Sequence, residues 1–365
     1  MQILYVFADM ASELNCSNWN CFYPTDAINK TENHKANYIH ISDFIQNSPE
    51  TQKLCSKADI IIVERNLFQD TLTMMMFWKV RGSAIAVIFD DGYHCIERTN
   101  PAHAFWALGE VSSPDEKGII HREYIKPPPI QQLAWGIEMS KGLQTVSQEI
   151  CNYWSNINDT YLIHNHLVMD KYKDIEPLYP HSSKDIIIGW TGSQSHRYSF
   201  KASGILRAYR KILNKYPNVK ILIGGDRTTF DELDVPNDKK LFCGYVLAEQ
   251  YSALVKSFDL YTIPLAGEYD LCRSQIKPLE CMALKVPWIA TNFPNYNHLL
   301  PYGHFTENGK DNWEIAISNA IDNLQQRREF AEEVSYPFAL TQDIDLHVQE
   351  RIDLYQKLID KPYKY

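Results

Sequence analysis

The chain has 365 residues, of which 45% are hydrophobic, and this is enough for two globular domains of roughly 150 residues each. Its net charge of −9 argues against a protein that binds nucleic acid by neutralising phosphates over its whole surface. Eight cysteines without a CxxC pair, no signal-peptide pattern and no apolar run near the ~20 residues of a membrane span favour a cytoplasmic protein with reduced thiols and no metal site.

The first half of the chain alternates short apolar runs with helical patterns. A helix at 68–82 and a helix ending at Trp154 lie between strands, whereas residues 99–129 have no clear period and are interpreted as a long functional loop or lid. Non-alternating apolar strands separated by helices indicate a parallel sheet covered on both faces. The predicted strands are QILYVFA (2–8), YIHIS (38–42), DIIIVER (59–65), SAIAVIFDD (83–91), LQTVS (143–147) and TYLIHN (160–165).

The pattern restarts after a linker at 178–185. A helix at 199–216 has a basic outer face, and the last part of the chain is helical. These features predict an α/β fold with domains at 1–178 and 179–340 and a C-terminal helix within 341–365. A ligand is expected in the crevice at the carboxyl ends of the strands. The strands predicted here are DIIIGW (185–190), VKILIGGD (219–226), KKLFCGYV (239–246), DLYTIPLA (259–266) and VPWIAT (286–291).

The stretch RSQIKPLECMALKVPWIATN (273–292) carries the strongest chemical signal. At about 100° per residue, Arg273, Lys277 and Glu280 fall within an arc of about 60° near the start of a helix that Ser274 would cap. The helix dipole and the two cations favour an anion there, and Glu280 suits a diol such as ribose. An anion beside a diol suggests a nucleotide diphosphate. The alternative is an exposed, ion-paired helix.

The segment IKPLECMALKVPWIATN resembles the EAMAxGxPVVAT segment of GT-B glycosyltransferases, especially the retaining family-4 (glycosyl transferases group 1) type. The resemblance implies two Rossmann-like αβα domains that face each other across a cleft, and a final helix that crosses back to the N-terminal domain. It assigns acceptor binding to the first domain and nucleotide-sugar binding to the second. It also places Glu280 at the position that binds the nucleotide ribose.

The turn in IIIGWTGSQSHRYSF (186–200) fits the same site. Gly189, Gly192 and Ser193 are small enough for backbone amides to approach a phosphate, and His196 and Arg197 can contact its charge. The turn resembles the GRxxxxK loop that holds the diphosphate in the family. It departs from that loop because Ser193 replaces the arginine and the lysine has no clear equivalent. A plain strand-to-helix turn is the alternative.

Two further stretches resemble donor-binding parts of the family. FCGYV (242–246) matches the strand and loop that contact the nucleobase, which implicates Tyr245 and Val246. The family carries an acidic residue eight positions before the ribose glutamate, where it contacts the donor sugar. Cys272 occupies that position here, and the nearby Asp270 is the other candidate.

The acceptor side is predicted from the first domain. FDDGYH (89–94) ends a strand, and Asp90, Asp91 or His94 can orient or deprotonate an acceptor hydroxyl as catalytic groups. Metal binding by the paired aspartates and a solvated strand end are the alternatives. In the loop NCSNWNCFYPTD (15–26), Trp19, Asn20 and Tyr23 form a candidate acceptor loop, although the aromatic residues fit loop anchoring equally well.

Together these patterns predict a hexosyltransferase-type glycosyltransferase that moves a sugar from a nucleotide-diphosphate donor to an acceptor hydroxyl. The resemblance implies retention at the anomeric carbon, and the site needs no metal and no cofactor beyond the donor. The acceptor is a glycan, a small molecule or a modified base in DNA, for which the 19–23 loop and the basic helix 207–215 would form a groove. A non-catalytic nucleotide-binding protein on a degenerate GT-B frame is a further alternative.

Overall fold

The structure is a computed structural model that describes residues 1–9, 15–115, 119–180 and 184–364. In the first half of these residues, six strands form one parallel sheet ordered β2-β1-β3-β4-β7-β8, and two strands form an antiparallel hairpin. The strands are β1 (Gln2–Phe7), β2 (Lys35–His40), β3 (Ile60–Glu64), β4 (Ala84–Ile88), β5 (Glu110–Pro114), β6 (Ile120–Tyr124), β7 (Leu143–Thr145) and β8 (Thr160–Leu162).

The second half of the described residues contains another six-stranded parallel sheet, ordered β11-β10-β9-β12-β13-β14. Of the predicted linker before it, residues 181–183 lie outside the described residues. The two parallel sheets confirm the predicted α/β fold with two Rossmann-like units. The strands are β9 (Ile186–Gly192), β10 (Val219–Gly225), β11 (Lys240–Cys243), β12 (Leu260–Ile263), β13 (Trp288–Thr291) and β14 (His304–Thr306).

Helices connect the strands of both sheets and form the C-terminal part of the chain. No helix among the described residues combines the length and the apolar character that a membrane crossing requires. The helices are α1 (Tyr23–Asn29), α2 (Ile41–Gln46), α3 (Pro49–Lys57), α4 (Asp70–Val80), α5 (Ala102–Leu108), α6 (Pro129–Met139), α7 (Gln148–Trp154), α8 (Arg197–Ala202), α9 (Ile205–Lys215), α10 (Arg227–Glu232), α11 (Ala248–Lys256), α12 (Glu268–Leu271), α13 (Ile276–Ala283), α14 (Lys310–Asp322), α15 (Leu324–Phe330), α16 (Tyr336–Leu340) and α17 (Ile344–Asp360).

Hydrophobic burial explains the central strands. Every residue of β3 (IIIVE) and β4 (AIAVI) is buried, as expected for strands covered by helices on both faces. One hydrophobic cluster includes Tyr5 of the first sheet, Tyr261 of the second sheet and Tyr355 of α17. The Tyr355 hydroxyl donates a hydrogen bond to Gln144 Oε1 at 2.8 Å and lies 2.8 Å from the Tyr5 hydroxyl. The last helix therefore packs on the first sheet.

Two predicted elements differ from the structure. The stretch 99–129 is not a structureless loop, because it contains α5 and the β5–β6 hairpin. Almost every residue of that hairpin is exposed, so its sequence lacks the alternation that one-sided burial produces. The helix predicted at 199–216 is split into α8 and α9 at Gly204, whose φ of +87° breaks the helical backbone.

Candidate active site

A cleft of about 290 Å³ lies where the carboxyl ends of both parallel sheets meet. This is the position where open α/β sheets bind ligands. The structure brings many of the predicted site residues together along its walls. The first unit contributes Trp19, Asp90 and Asp91, and the second contributes Gly192, Ser193, His196, Tyr245, Val246, Arg273, Lys277 and Glu280.

A short turn before α13 sets the position of Arg273. Its Nε donates to Asp270 Oδ1 at 2.6 Å, and its backbone carbonyl accepts a hydrogen bond from Asn295 Nδ2 at 3.1 Å. The Ser274 carbonyl accepts from the Tyr296 hydroxyl at 3.2 Å. These bonds hold residues 273–274 outside the helix, so Gln275 occupies the N-cap position and the predicted cap at Ser274 is wrong.

Arg273 and Lys277 converge on His196. Arg273 Nη1 lies 3.0 Å and Lys277 Nζ 3.4 Å from His196 Nε2, while Arg273 Nη2 donates to the Ser195 carbonyl and hydroxyl at 3.2 Å. Burial, followed by repulsion from Arg273 and Lys277, lowers the pKa of His196 well below its usual value. His196 is therefore neutral, and its Nε2 accepts hydrogen bonds from the cations.

Lys277 is half-buried, and its ammonium group donates to the Thr191 carbonyl at 2.7 Å. Among the described residues, no carboxylate lies within ion-pair distance of it. Burial and then repulsion by Arg273 lower the pKa of Lys277 to about 7, although Asp270 and Glu280 act in the opposite direction. A partly desolvated cation without a paired carboxylate gains from an anionic ligand.

Glu280 lies less than one turn beyond Lys277 on α13 and is 4% exposed. The Tyr172 hydroxyl donates to its Oε1 at 3.1 Å. Burial raises the pKa of Glu280 to about 8, even though Tyr172 and Lys277 favour the ionised form. Sequence analysis did not identify Tyr172, because it lies in a short turn before the second sheet and 108 residues from its partner.

Two glycines shape the end of β9 and β10. A Cβ atom on Gly192 would lie 2.6 Å from the Trp190 ring, and one on Gly225, where φ is +95°, would lie 2.5 Å from the Gly192 carbonyl oxygen. Both glycines line the cleft. Gly189 serves packing instead of phosphate approach, because a Cβ there would lie 2.1 Å from the Phe258 ring. The predicted role of Gly189 at a phosphate is therefore wrong.

Three predicted donor-site residues do not line the cleft. Arg197 pairs with Glu232, which also lies 2.9 Å from Lys201, whereas its neighbour His196 lines the cleft. Asp270 is fully buried and accepts from the Ala266 amide at 2.7 Å as well as from Arg273. The structure thus makes Asp270 a support for Arg273. Cys272 is 1% exposed and lies against Cys95.

Asp90 forms part of the first-unit wall of the cleft. Burial and then repulsion by Asp91 raise the pKa of Asp90 to about 6, with Arg65 acting in the opposite direction. Asn20 lies behind Asp90 and does not line the cleft. Its Nδ2 donates to Asp90 Oδ1 at 3.3 Å and to Glu64 Oε1 at 3.0 Å, which fixes the direction of the Asp90 carboxylate.

The remaining predicted residues divide between the cleft and the core. Trp19 lines the cleft, whereas Tyr23 is 6% exposed and packs edge-on against it with ring centroids 4.9 Å apart. His94 lies outside the cleft, stacked on Tyr153 at 3.8 Å. Tyr245, which is 69% exposed, follows β11 at the rim of the cleft.

Comparisons with known proteins agree with this geometry. Residues 185–326 match the family described as Glycosyl transferases group 1. No curated protein sequence matches the chain significantly.

Solved structures match over nearly the whole chain at low sequence identity. Sucrose-phosphate synthase from Thermosynechococcus elongatus is 11% identical with a TM-score of 0.62, and the match covers 98% of this chain and 99% of that one. HepE from Anabaena, in complex with UDP and glucose, is 13% identical with a TM-score of 0.63, and the match again covers 98% of this chain and 99% of that one. A putative UDP-N-acetylglucosamine 2-epimerase from Listeria monocytogenes is 9% identical, with a TM-score of 0.56 and coverage of 99% and 98%.

The family match covers the sheet, α13 and the cation cluster of the second unit, and the structural matches extend the same architecture to the first unit. Residues 185–326 therefore match a glycosyl transferases group 1 domain, and the chain as a whole has the GT-B fold.

Proposed function

We propose that the chain transfers a sugar from a nucleoside diphosphate sugar to an acceptor hydroxyl across this cleft. The observation that carries the proposal is the convergence of Arg273, Lys277 and neutral His196, where the half-buried Lys277 has no ion-paired carboxylate among the described residues. A diphosphate supplies the missing negative charge. Glu280 faces the same cleft and lies less than one helical turn from Lys277 on α13. Its carboxyl group there suits a ribose diol.

A uridine nucleotide is the first donor to test. HepE was solved with UDP-glucose, and TarM from S. aureus was solved with UDP. Both share the GT-B fold with this chain, and the fold alone does not select a nucleobase. The exposed Tyr245 and its neighbour Val246 lie at the cleft rim where a base would stack or receive backbone hydrogen bonds.

The proposed chemistry is electrostatic. When the glycosidic bond of the donor breaks, negative charge develops on the departing diphosphate, and Arg273 and Lys277 stabilise it at fixed positions. In the retaining course that the family resemblance implies, the acceptor hydroxyl approaches on the leaving-group face and gives its proton to a diphosphate oxygen. Because the two cations balance the diphosphate charge, we propose that transfer needs no divalent metal.

The first-unit wall would orient the acceptor. Asp90, with a pKa of about 6, is mostly ionised at neutral pH and can accept a hydrogen bond from a sugar hydroxyl. Trp19 offers an aromatic ring for the apolar face of a sugar. We therefore favour a glycan or a hydroxyl-bearing small molecule as the acceptor.

The test is a thermal-shift and donor-hydrolysis screen against UDP-, GDP-, ADP- and dTDP-sugars. Lys277→Met removes the charge and keeps most of the side-chain volume, and Lys53→Met, on the exposed face of α3, is the matched control. We expect one nucleotide class to stabilise the wild type and the control but not Lys277→Met, with slow release of the diphosphate. Equal responses of all three proteins would place the site elsewhere.

Two other functions give different outcomes in the same screen. A non-catalytic nucleotide-binding protein would be stabilised by a nucleotide, but it would release no diphosphate, whichever acceptor is added. The structure gives little support to a modified base in DNA as the acceptor, because two cations of the basic helix α9 that would contact DNA phosphates are already ion-paired. Arg210 pairs with Asp234 at 3.3 Å and Lys211 with Asp311 at 3.0 Å. Salt-sensitive binding to DNA would restore that alternative.

A further inference from the structure

His94, predicted as a catalytic group on the acceptor side, and Cys272, predicted to contact the donor sugar, instead come together with Cys95 at the seam between the two units. His94 and Cys95 belong to a short turn that follows β4, and Cys272 follows α12 in the second unit. The two sulfur atoms are 3.8 Å apart, and the potential ligand atoms of all three side chains lie within 4.8 Å of one another. Three side chains that bind soft metals thus share one small volume.

The surrounding residues hold this cluster in place. Gly92 makes room for the sulfurs, because a Cβ atom there would lie 2.8 Å from both the Cys95 and the Cys272 Sγ atoms. The His94 ring is stacked on Tyr153 at 3.8 Å and meets Trp154 edge-on at 5.9 Å. Its Nδ1 is buried and has no hydrogen-bond partner among the described residues. The imidazole is therefore fixed by packing and keeps an unused ring nitrogen.

The chemistry of the three side chains selects zinc. Zn²⁺ prefers tetrahedral thiolate and imidazole ligands, and Zn–S bonds of about 2.3 Å place two ligand sulfurs about 3.8 Å apart. The 3.8 Å separation of Cys95 and Cys272 matches that edge of the tetrahedron. Two thiolates and one neutral imidazole also balance the charge of Zn²⁺, so the complex has no net charge to desolvate at a partly buried position.

We propose that His94, Cys95 and Cys272 bind one Zn²⁺ ion that joins the first unit to the second. Both thiols release their protons to solvent when the metal binds, and water completes the fourth position. The site lies outside the cleft. Because Cys272 directly precedes Arg273, the metal fixes the chain that enters the cation cluster to the wall that carries Asp90 and Asp91.

Metal content of the full-length chain tests this proposal. We expect about one zinc ion per chain after growth in zinc-supplemented medium and gel filtration, and its loss in His94→Ala and in Cys272→Ser. Cys55→Ser is the matched control, because Cys55 is buried on α3, which contributes no residue to the cluster. Cobalt substitution of the wild type adds a second measurement that needs no variant. We expect a thiolate-to-cobalt charge-transfer band in the near ultraviolet.

Three results would overturn the proposal. The wild type could contain no zinc, the zinc content could be unchanged in His94→Ala and Cys272→Ser, or bound cobalt could lack the thiolate band. A disulfide-linked peptide containing Cys95 and Cys272, recovered from zinc-free wild type, would identify the pair as a redox bridge instead.

Discussion

At the scale of single residues, the charge of Lys277 responds most directly to an anion in the cleft. With a pKa of about 7 it is only partly protonated near neutral pH, and no carboxylate of the described chain pairs with it. A bound phosphate would favour the ammonium form and raise this pKa. Binding of a phosphate group is therefore coupled to proton uptake, and the affinity falls as the pH rises above about 7.

Inorganic pyrophosphate isolates this effect, because it has no ribose to contact Glu280. At pH 8 we expect calorimetry in buffers of different ionisation enthalpy to show uptake that approaches one proton per site. Lys277→Met should lose this uptake, and Lys53→Met should keep it. Equal proton uptake by the wild type and Lys277→Met would assign the proton to another group.

Glu280 gives a second prediction, which concerns stability. Its folded-state pKa of about 8 exceeds the usual unfolded value of about 4.3, so the folded protein holds an extra proton between these values. Stability from this group is therefore lost as the pH rises from about 4.3 to 8. We expect Glu280→Gln, at pH 9 and without ligand, to melt at least about 2–4 °C above the wild type.

The difference should vanish near pH 4, where Glu280 is protonated in both states. The same variant should show a smaller thermal shift with a nucleotide, because its amide has only one oxygen to accept hydrogen bonds from the ribose diol. A variant that melts below the wild type at pH 9 would contradict the raised pKa of Glu280.

At the scale of elements, the ends of β9 and β10 form the floor on which the phosphate group would lie. Gly225 requires its positive φ, and any side chain there collides with the Gly192 carbonyl oxygen. Alanine at position 225 would therefore have an unfavourable positive φ, and its Cβ atom would clash with the Gly192 carbonyl oxygen. Gly244 also lines the cleft, but the atom nearest to a Cβ placed on Gly244 is 3.9 Å away, which leaves room for alanine.

We therefore expect Gly225→Ala to lower the free energy of unfolding by about 1–3 kcal/mol, and Gly244→Ala to change it by less than about 0.5 kcal/mol. Thermal melting of the two variants beside the wild type makes the comparison. Similar melting temperatures for both variants would mean that the β10 end relaxes easily and does not form a rigid floor.

The elements also show how far the sequence predicted this site. The spacing of Arg273, Lys277 and Glu280 predicted one helix face, and their presence in one cleft follows from the parallel strand order. Tyr172 and the turn at residues 273–275 were not predictable, because each depends on contacts between segments distant in the chain. The pairing of Cys95 with Cys272 spans 177 residues, so no local cysteine spacing could signal it.

At the scale of the whole molecule, α17 connects the end of the chain to the first sheet. Tyr355 is fully buried, and its hydroxyl bonds both Gln144 and Tyr5. Tyr355→Phe would leave these two polar groups without that partner. We expect a loss of about 1–3 kcal/mol in the free energy of unfolding, measured as a lower melting temperature.

Tyr38→Phe is the control. Tyr38 is 47% exposed, so the loss of its hydroxyl leaves no buried polar group without a partner. It should melt close to the wild type. If Tyr355→Phe also melts like the wild type, the return of α17 depends on apolar packing alone.

The central claim is that one cleft binds a phosphate group at Lys277 and a ribose at Glu280. The most direct measurement is calorimetric titration of UDP and uridine into the wild type, Lys277→Met and Glu280→Gln. The account predicts that UDP binds the wild type at least about tenfold more tightly than uridine, a difference of about 1.4 kcal/mol. This advantage should shrink in Lys277→Met, which keeps Arg273, and persist in Glu280→Gln, where both ligands bind more weakly. A UDP advantage that survives Lys277→Met unchanged would contradict the account.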